Sequence, residues 1–198
     1  MGVSRQQAVE NRQAIIAAAE RLFRERGVDG VGLTELTKAA GFTQGGFYNH
    51  FESKDALVAA VMNKAMEDGA SRLVAAIEQS KAMGIDPIKR QIEWYLSPDH
   101  RSAIASGCPV STFVGDVQRL NEEARKFYAE GVTSNLDHLA NSLSGANKKE
   151  RRRKAVSMLS QLVGTLMLSR AVVDADQDLA DEILKDGRRK LLLDLADS

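Results

Sequence analysis

The stretch Ala40–Lys54, AGFTQGGFYNHFESK, decides the fold. It has the layout of a short helix set between two breaks, Gly41 ahead and the polar FESK behind. Yet it carries two adjacent glycines, Gly45 and Gly46, and each costs roughly 1 kcal/mol relative to alanine in a helix interior. Just upstream, the spacing predicts another short helix over 33–40, with Leu36, Ala39 and Ala40 inward. Two short helices joined by a tight glycine turn make a helix-turn-helix. Gly41 suits the left-handed conformation that ends the first helix. Thr43 is placed to cap the second, predicted over 44–50. Phe42, Phe47 and Phe51 would hold that helix down. Gln44, Gly45, Gly46, Tyr48, Asn49 and His50 are left facing out or along its edge. Gln and Asn match adenine edges, whereas Tyr, His and Lys suit phosphates. The glycines then acquire a use: with no side chains on the turn that enters a major groove, the backbone approaches bases or a thymine methyl closely.

Outward from this stretch, period-3.6 patterns run nearly end to end and β-branched alternation is absent, so the chain reads as all-α. A first helix is predicted over 7–26, with Ile15, Ala19 and Leu22 in one row and Gly27 stopping it. After FESK a long helix keeps Leu57, Val58, Val61, Met62, Ala65, Met66, Leu73 and Ile77 on one face. Further helices are predicted around Trp94 and Tyr95, at CPVSTFVGDVQRL, over 121–143, over 149–173 and over 178–195. The segment SPDHRSAIASG reads as irregular. A boundary near Ser53 divides a small three-helix head, residues 1–53, from a larger helical body, residues 54–198.

Of the 198 residues 27 are Lys or Arg and 27 are Asp or Glu, so a globally basic nucleic-acid binder is excluded and any basic surface is local. The head itself carries only a small net positive charge. Arg5 and Arg12 are candidates for a flexible N-terminal arm reaching phosphates, with plain solvated surface as the equal alternative. The single cysteine, Cys108, rules out an intrachain disulfide and fits a reducing compartment. No apolar run is expected to reach the roughly 18 residues of a membrane span, and the opening MGVSRQ lacks the layout of a secretory leader. The expectation is a soluble, cytoplasmic protein with no membrane partner and no cofactor or metal.

The run ELTKAAGFTQGGFYNHFESKDAL, preceded by AIIAAAERLFRERGVDGVGL, resembles the head of the tetracycline-repressor (TetR/AcrR) family of bacterial transcriptional regulators. The resemblance covers about the first quarter of the chain. It implies double-stranded operator DNA as a partner, with phosphate contacts from Thr43, Tyr48, His50 and Lys54 and base reading by Gln44, Gly45, Gly46 and Asn49. The family pattern has Ser or Thr capping the first helix of the pair, where this chain has Gly32. Gly supplies no side-chain acceptor, and the phosphate contact made there passes to Thr34. The resemblance also implies a homodimer formed through the last two helices. Independently, Ala155, Val156, Met158, Leu159, Leu162, Val163, Leu166 and Met167 cover about half the circumference of one of these, wide enough for a core and a partner. Leu184, Leu191, Leu192 and Leu195 add a second row.

A regulator of this kind needs an effector, and the body offers apolar and aromatic candidates for a pocket. Trp94, Tyr95, Val110, Phe113 and Val117 are one group; Leu162, Leu166 and Met167 are another. Arg170, inside an apolar face, needs a partner: Asp116 and a ligand carboxylate are candidates, but a place near the end of its helix, reaching solvent or the last carbonyls, is the better reading. Cys108 precedes Pro109, which suits a first helical position. A thiol at a helix N-terminus is the kind that oxidants and electrophiles attack, so a thiol-based redox or electrophile sensor is the alternative to a small-molecule-released repressor. The basic run Lys148–Lys154 sits at a helix start, the wrong end for positive charge; of a second DNA-binding patch and a solvated loop, the loop is the better reading. DADQD resembles the start of a calcium loop but has Leu179 and Lys185 where that loop needs Gly and Glu; helix capping explains it better. An enzymatic grouping of Asp99, His100 and Cys108 is the remaining alternative; nothing in the spacing enforces its geometry.

Overall fold

The computed structural model describes residues 4–196. The first three residues of MGVSRQ and the outer limits of the head and body assignments lie outside the described residues. The chain folds into helices α1 (Arg5–Arg26), α2 (Leu33–Ala39), α3 (Gln44–Tyr48), α4 (Lys54–Ala82), α5 (Pro87–Tyr95), α6 (Pro98–Ser102), α7 (Pro109–Phe113), α8 (Glu122–Ser142), α9 (Lys148–Val172) and α10 (Gln177–Ala196), with a 3₁₀ turn at Val117–Arg119. The class is all-α, as read.

Side-chain caps set most helix starts. Ser4, Thr43, Ser53, Asp86, Ser97, Asn121 and Asn147 each accept a backbone N–H from the first turn that follows. Asp176 does the same for Leu179 at 2.9 Å, so part of the acidic DADQD run is a helix cap. α6 corrects the irregular reading of SPDHRSAIASG: Ser97 caps it and Pro98 starts it, a short polar helix that leaves no apolar period to find. The basic run is corrected too. It forms the first turns of α9, where Arg152 pairs with Asp137 at 2.8 Å and Lys154 lies 3.8 Å from Glu150. Arg5 and Arg12 are not an arm, since both lie within α1 and Arg12 stands over the Phe51 ring at 4.6 Å.

α4 is the spine. Its first half, with Leu57, Val58, Val61 and Met62, completes the core made by Ile15, Ala19, Phe23, Leu36 and Phe47. That core continues into Val110 and Phe113 of α7 and Ala124 of α8. Its second half, with Leu73 and Ile77, joins a second core built from α5, α8, α9 and α10. Within α2 the inward residues are Leu36 and Thr37; Ala39, expected inside, is exposed because a seven-residue helix presents only one turn to the core.

α9 has the length and, over its most apolar stretch, the mean hydropathy (1.3) of a membrane span, which corrects the expectation that no segment would. It packs along α8 and α10, and Ala155, Leu159, Leu162 and Leu166 are core. Away from that core, Val156 (44%) and Leu168 (62%) of α9 are exposed, as is Leu193 (57%) of α10.

Candidate nucleic-acid interface and effector cavity

The outer face of the head is built on α3. Phe47 is fully buried and stacks on Phe51 with ring centroids 5.7 Å apart, which fixes the short helix to the core. Thr43 Oγ1 accepts the Gly46 N–H at 3.1 Å. Gly41 has φ +77°, the left-handed turn expected between α2 and α3. With that anchoring, Thr43, Gln44, Gly45, Tyr48 and Asn49 are exposed, while Gly46 and His50 are half-buried. A Cβ added to Gly46 would sit 3.4 Å from Thr43 Oγ1, so the cap crowds that position. A Cβ on Gly45 would meet nothing within 4 Å. The fold therefore gives no reason for glycine at 45.

Two of the outward residues are already linked. Gln44 Nε2 donates to Thr34 Oγ1 at 2.9 Å, joining the starts of α2 and α3 across the turn. One amide N–H and the carbonyl of Gln44 remain for a base edge. Gly32 caps α2 with no side-chain bond, as its identity dictates. Lys54 Nζ donates to the Val28 carbonyl at 2.8 Å and keeps two further donors. It is thus a strut between the start of α4 and the loop after α1 as well as a surface cation.

In the body, two helical stripes face each other: Gly69, Arg72, Leu73, Ala76 and Ser80 on α4, and Pro87, Arg90, Gln91 and Trp94 on α5. Between them lies a cavity of about 220 Å³, closed by Tyr95, Cys108, Pro109, Leu139, Leu159 and Leu162 among others. Of the ten candidate effector residues, Trp94, Tyr95, Cys108 and Leu162 line it. The other six do not. Val110 and Phe113 point into the head-side core, and Leu166 into the second core. Val117 lies in the 3₁₀ turn beyond α7, and Met167 is half-buried away from the cavity. Arg170 donates to the carbonyls of Arg101 (3.0 Å) and His100 (2.8 Å), so its partners are carbonyls of α6 and neither Asp116 nor a ligand. Periodicity identifies an inward residue but cannot say which of two cores receives it. Arg72 and Arg90 were missed because charged helix positions read as solvated. The i, i+3, i+4, i+7 face they share with Gly69, Pro87 and Trp94 was the available signal.

Around the cavity the polar groups are mostly committed. His100 stacks on Trp94 (4.2 Å) and contacts Tyr95 edge-on (4.7 Å). Its Nε2 accepts the Cys108 N–H at 3.0 Å, so Nδ1 carries the proton and donates to the Tyr95 carbonyl at 2.8 Å. Burial brings its pKa down to about 4. Neither ring nitrogen is left for the Cys108 thiol, so an Asp99–His100–Cys108 relay is not assembled. Among the buried ones Tyr95 is the exception. Its hydroxyl is buried without a hydrogen-bond partner among the described residues. Burial above all, and then the neighbouring Cys108, holds that phenol well above its ordinary pKa.

The wall that carries Cys108 also reaches the head. Arg24 of α1, buried beside Phe113, donates to the Gly107 carbonyl at 3.2 Å. Asp116 accepts the Val28 N–H at 3.4 Å and pairs with Arg119 at 2.8 Å, and Arg119 reaches Asp29 at 3.0 Å.

Residues 15–61 match the family model of bacterial regulatory proteins, tetR family. An uncharacterised HTH-type transcriptional regulator of Lactococcus lactis is 24% identical over 82% of this chain and 85% of its own length. The HTH-type transcriptional repressor NemR of Escherichia coli K12 is 26% identical over 70% of each chain. The crystal structure of E. coli NemR in its reduced form superposes with a TM-score of 0.75 at 21% identity, covering 92% of this chain and 95% of that one.

Proposed function

We propose that this chain, which belongs to the tetR family of bacterial regulatory proteins, is a dimeric transcriptional repressor that leaves its operator when a small molecule fills the cavity between α4 and α5. That it is a DNA-binding transcriptional regulator follows from the family. The division into a reading head, residues 1–53, and a sensing and dimerising body, residues 54–198, is our functional reading of the fold, and the site of action is the cytoplasm. The observation that carries the proposal is the exposed N-terminal turn of α3, bare of side chains at Gly45 and clamped from beneath by Phe47.

Base reading then falls to Gln44, Gly45, Gly46 and Asn49. Thr34, Thr43, Tyr48, His50 and Lys54 hold phosphates. Two heads must stand about 34–36 Å apart to meet successive major grooves. The exposed Val156 and Leu168 of α9 and Leu193 of α10 supply the apolar face on which two bodies pair. An effector that widens the cavity displaces α4, which begins in the head, and the spacing of the two heads no longer matches the duplex. Selection of duplexes from a random pool tests this. The wild type should enrich a palindromic sequence, and Gln44→Ala should enrich one altered at defined positions. Enrichment of no sequence over random competitor at low salt would refute the reading.

A second reading has an observation of its own: Cys108 is half-buried on the cavity wall, beside the unpaired Tyr95 hydroxyl. An electrophile admitted to the cavity would meet that thiol, making the protein a thiol-based redox or electrophile sensor. Release from DNA by thiol reagents that persists unchanged in Cys108→Ser removes this reading.

A further inference from the structure

The cavity's own chemistry narrows what it accepts. Its volume of about 220 Å³ falls below the roughly 300–1,000 Å³ of pockets for drug-sized ligands, which suits one ring or a short chain. Its body is apolar, from Leu73, Ala76, Leu139, Leu159 and Leu162. Two arginines, Arg72 and Arg90, are among its lining residues, and no Asp or Glu is. Among the described residues Arg72 forms no ion pair or hydrogen bond, and Arg90 has only the Met83 sulfur at 3.5 Å. Arg72 is exposed and Arg90 half-buried, so the two charges stand at the mouth. Tyr95, 2% exposed, is also a lining residue; its hydroxyl lies beside the Cys108 and Ser111 side chains without a well-formed hydrogen bond to either. A buried hydroxyl without a partner is costly, and the cost is recovered when a ligand atom completes the bond.

We propose that the cavity takes a small organic anion. Its carboxylate lies between Arg72 and Arg90, its apolar body runs along Leu73, Leu159 and Leu162, and a hydrogen-bonding atom at its far end meets Tyr95 Oη. This deepens the reading of the cavity as the effector site and rests on it. Arg presents paired N–H donors to a carboxylate, and a charge-assisted pair is about twice as strong as a neutral one. The unpaired hydroxyl sets a second requirement, so an acid with a polar atom opposite its carboxylate binds better than one without.

The single tryptophan, Trp94, lines the cavity and reports its occupancy by fluorescence. Titration of the full chain with 4-hydroxybenzoate, benzoate and 4-hydroxybenzamide, and with octanoate and octanamide as a flexible pair, tests the proposal. The acids should bind saturably and the amides about ten-fold or more weakly. Arg72→Met with Arg90→Met keeps the apolar stems and should abolish the preference for acids without lowering the melting temperature. Tyr95→Phe loses no internal bond, so the ligand-free protein should melt no lower, while the advantage of 4-hydroxybenzoate over benzoate disappears. Amides that bind as tightly as their acids, or acids that do not bind, would overturn the proposal. A selected duplex added to the same titrations separates the two readings. If neutral compounds fill the cavity and release DNA, the effector site stands and its anion preference falls. If acids bind and DNA stays bound, the preference stands and the effector role falls.

Discussion

Replacing Gly45 with alanine separates what the fold requires from what DNA requires. Gly45 is the second residue of α3, exposed, with a φ outside the left-handed region and nothing within 4 Å of an added Cβ. Alanine therefore fits without strain. Glycine at a helix interior costs about 0.5–1 kcal/mol relative to alanine, and a position in the first turn recovers the lower part of that range. A gain of this order raises the melting temperature of a 198-residue chain by about 1–3 °C. On DNA the same methyl stands where the backbone is to approach base edges. Loss of one good base contact costs about 1–3 kcal/mol, about five-fold or more per head, and on the proposed reading both heads of a dimer suffer it. The assay is thermal unfolding without DNA beside fluorescence anisotropy on a selected duplex at fixed salt, both at matched protomer concentration because dimerisation moves both readings. Expected is a protein that is slightly more stable and binds at least ten-fold more weakly. Unchanged affinity would show that the bare turn does not face bases. A lower melting temperature would show that the fold demands glycine here after all.

Four further outcomes follow from the geometry. In Gly69→Ala, the new Cβ would lie 2.6 Å from Pro109 Cγ; a proline ring cannot rotate away, so α7 must shift at a cost of about 1–3 kcal/mol, and both melting temperature and ligand-free DNA affinity should fall. Leu168→Glu sits on an exposed position, so the protomer's helicity should persist while light scattering shows monomers; a dimer that survives would place the interface elsewhere. His100, with a folded pKa of about 4 against an ordinary 6.5, binds its proton later than the unfolded chain does, so stability should fall as pH drops from 6.5 to 4, by up to about 3 kcal/mol, and level off below; His100→Gln should flatten that slope in a melting series. Asp116→Ala removes the acceptor of Val28 N–H and should cost about 1–2 kcal/mol while weakening the effect of a cavity ligand on DNA affinity; full retention of that effect would mean α4 alone carries the signal.

The head was legible because its signals are local. Thr43 beside Gly41 fixes a turn and a cap within three residues, and Phe42, Phe47 and Phe51 mark the buried side. α4 was legible from its apolar period over six turns. The cavity was not, for two reasons. Helical period shows that Val110, Phe113, Leu166 and Trp94 could face inward, but the core each reaches depends on how α4, α7 and α9 cross, and that is a property of the packed body. The charges that give the cavity its character, Arg72 and Arg90, look like solvated helix positions until the opposite stripe is seen. Arg170 was legible in half: its need for carbonyls could be argued, but that they belong to α6, a helix without apolar period, could not.

The two routes from cavity to head meet at one contact. α4 carries Gly69 on the cavity wall and Leu57, Val58 and Val61 in the head core. α7 begins with Pro109 on the same wall, and the segment around it ends in Gly107, held by Arg24, and Asp116, held by Val28. Gly69 and Pro109 approach so closely that not even a methyl group fits between them. A ligand entering beside them pushes on both routes at once. Displacing α4 alone would stretch Arg24–Gly107 and Asp116–Val28, and displacing α7 alone would part Phe113 from the head core. Packed interfaces of this kind resist gradual deformation and prefer discrete arrangements, so the head is expected to follow the two elements as a unit. On the proposed reading, a cavity of modest size would suffice to turn both heads of a dimer, because it acts where the two supports of each head are already in contact.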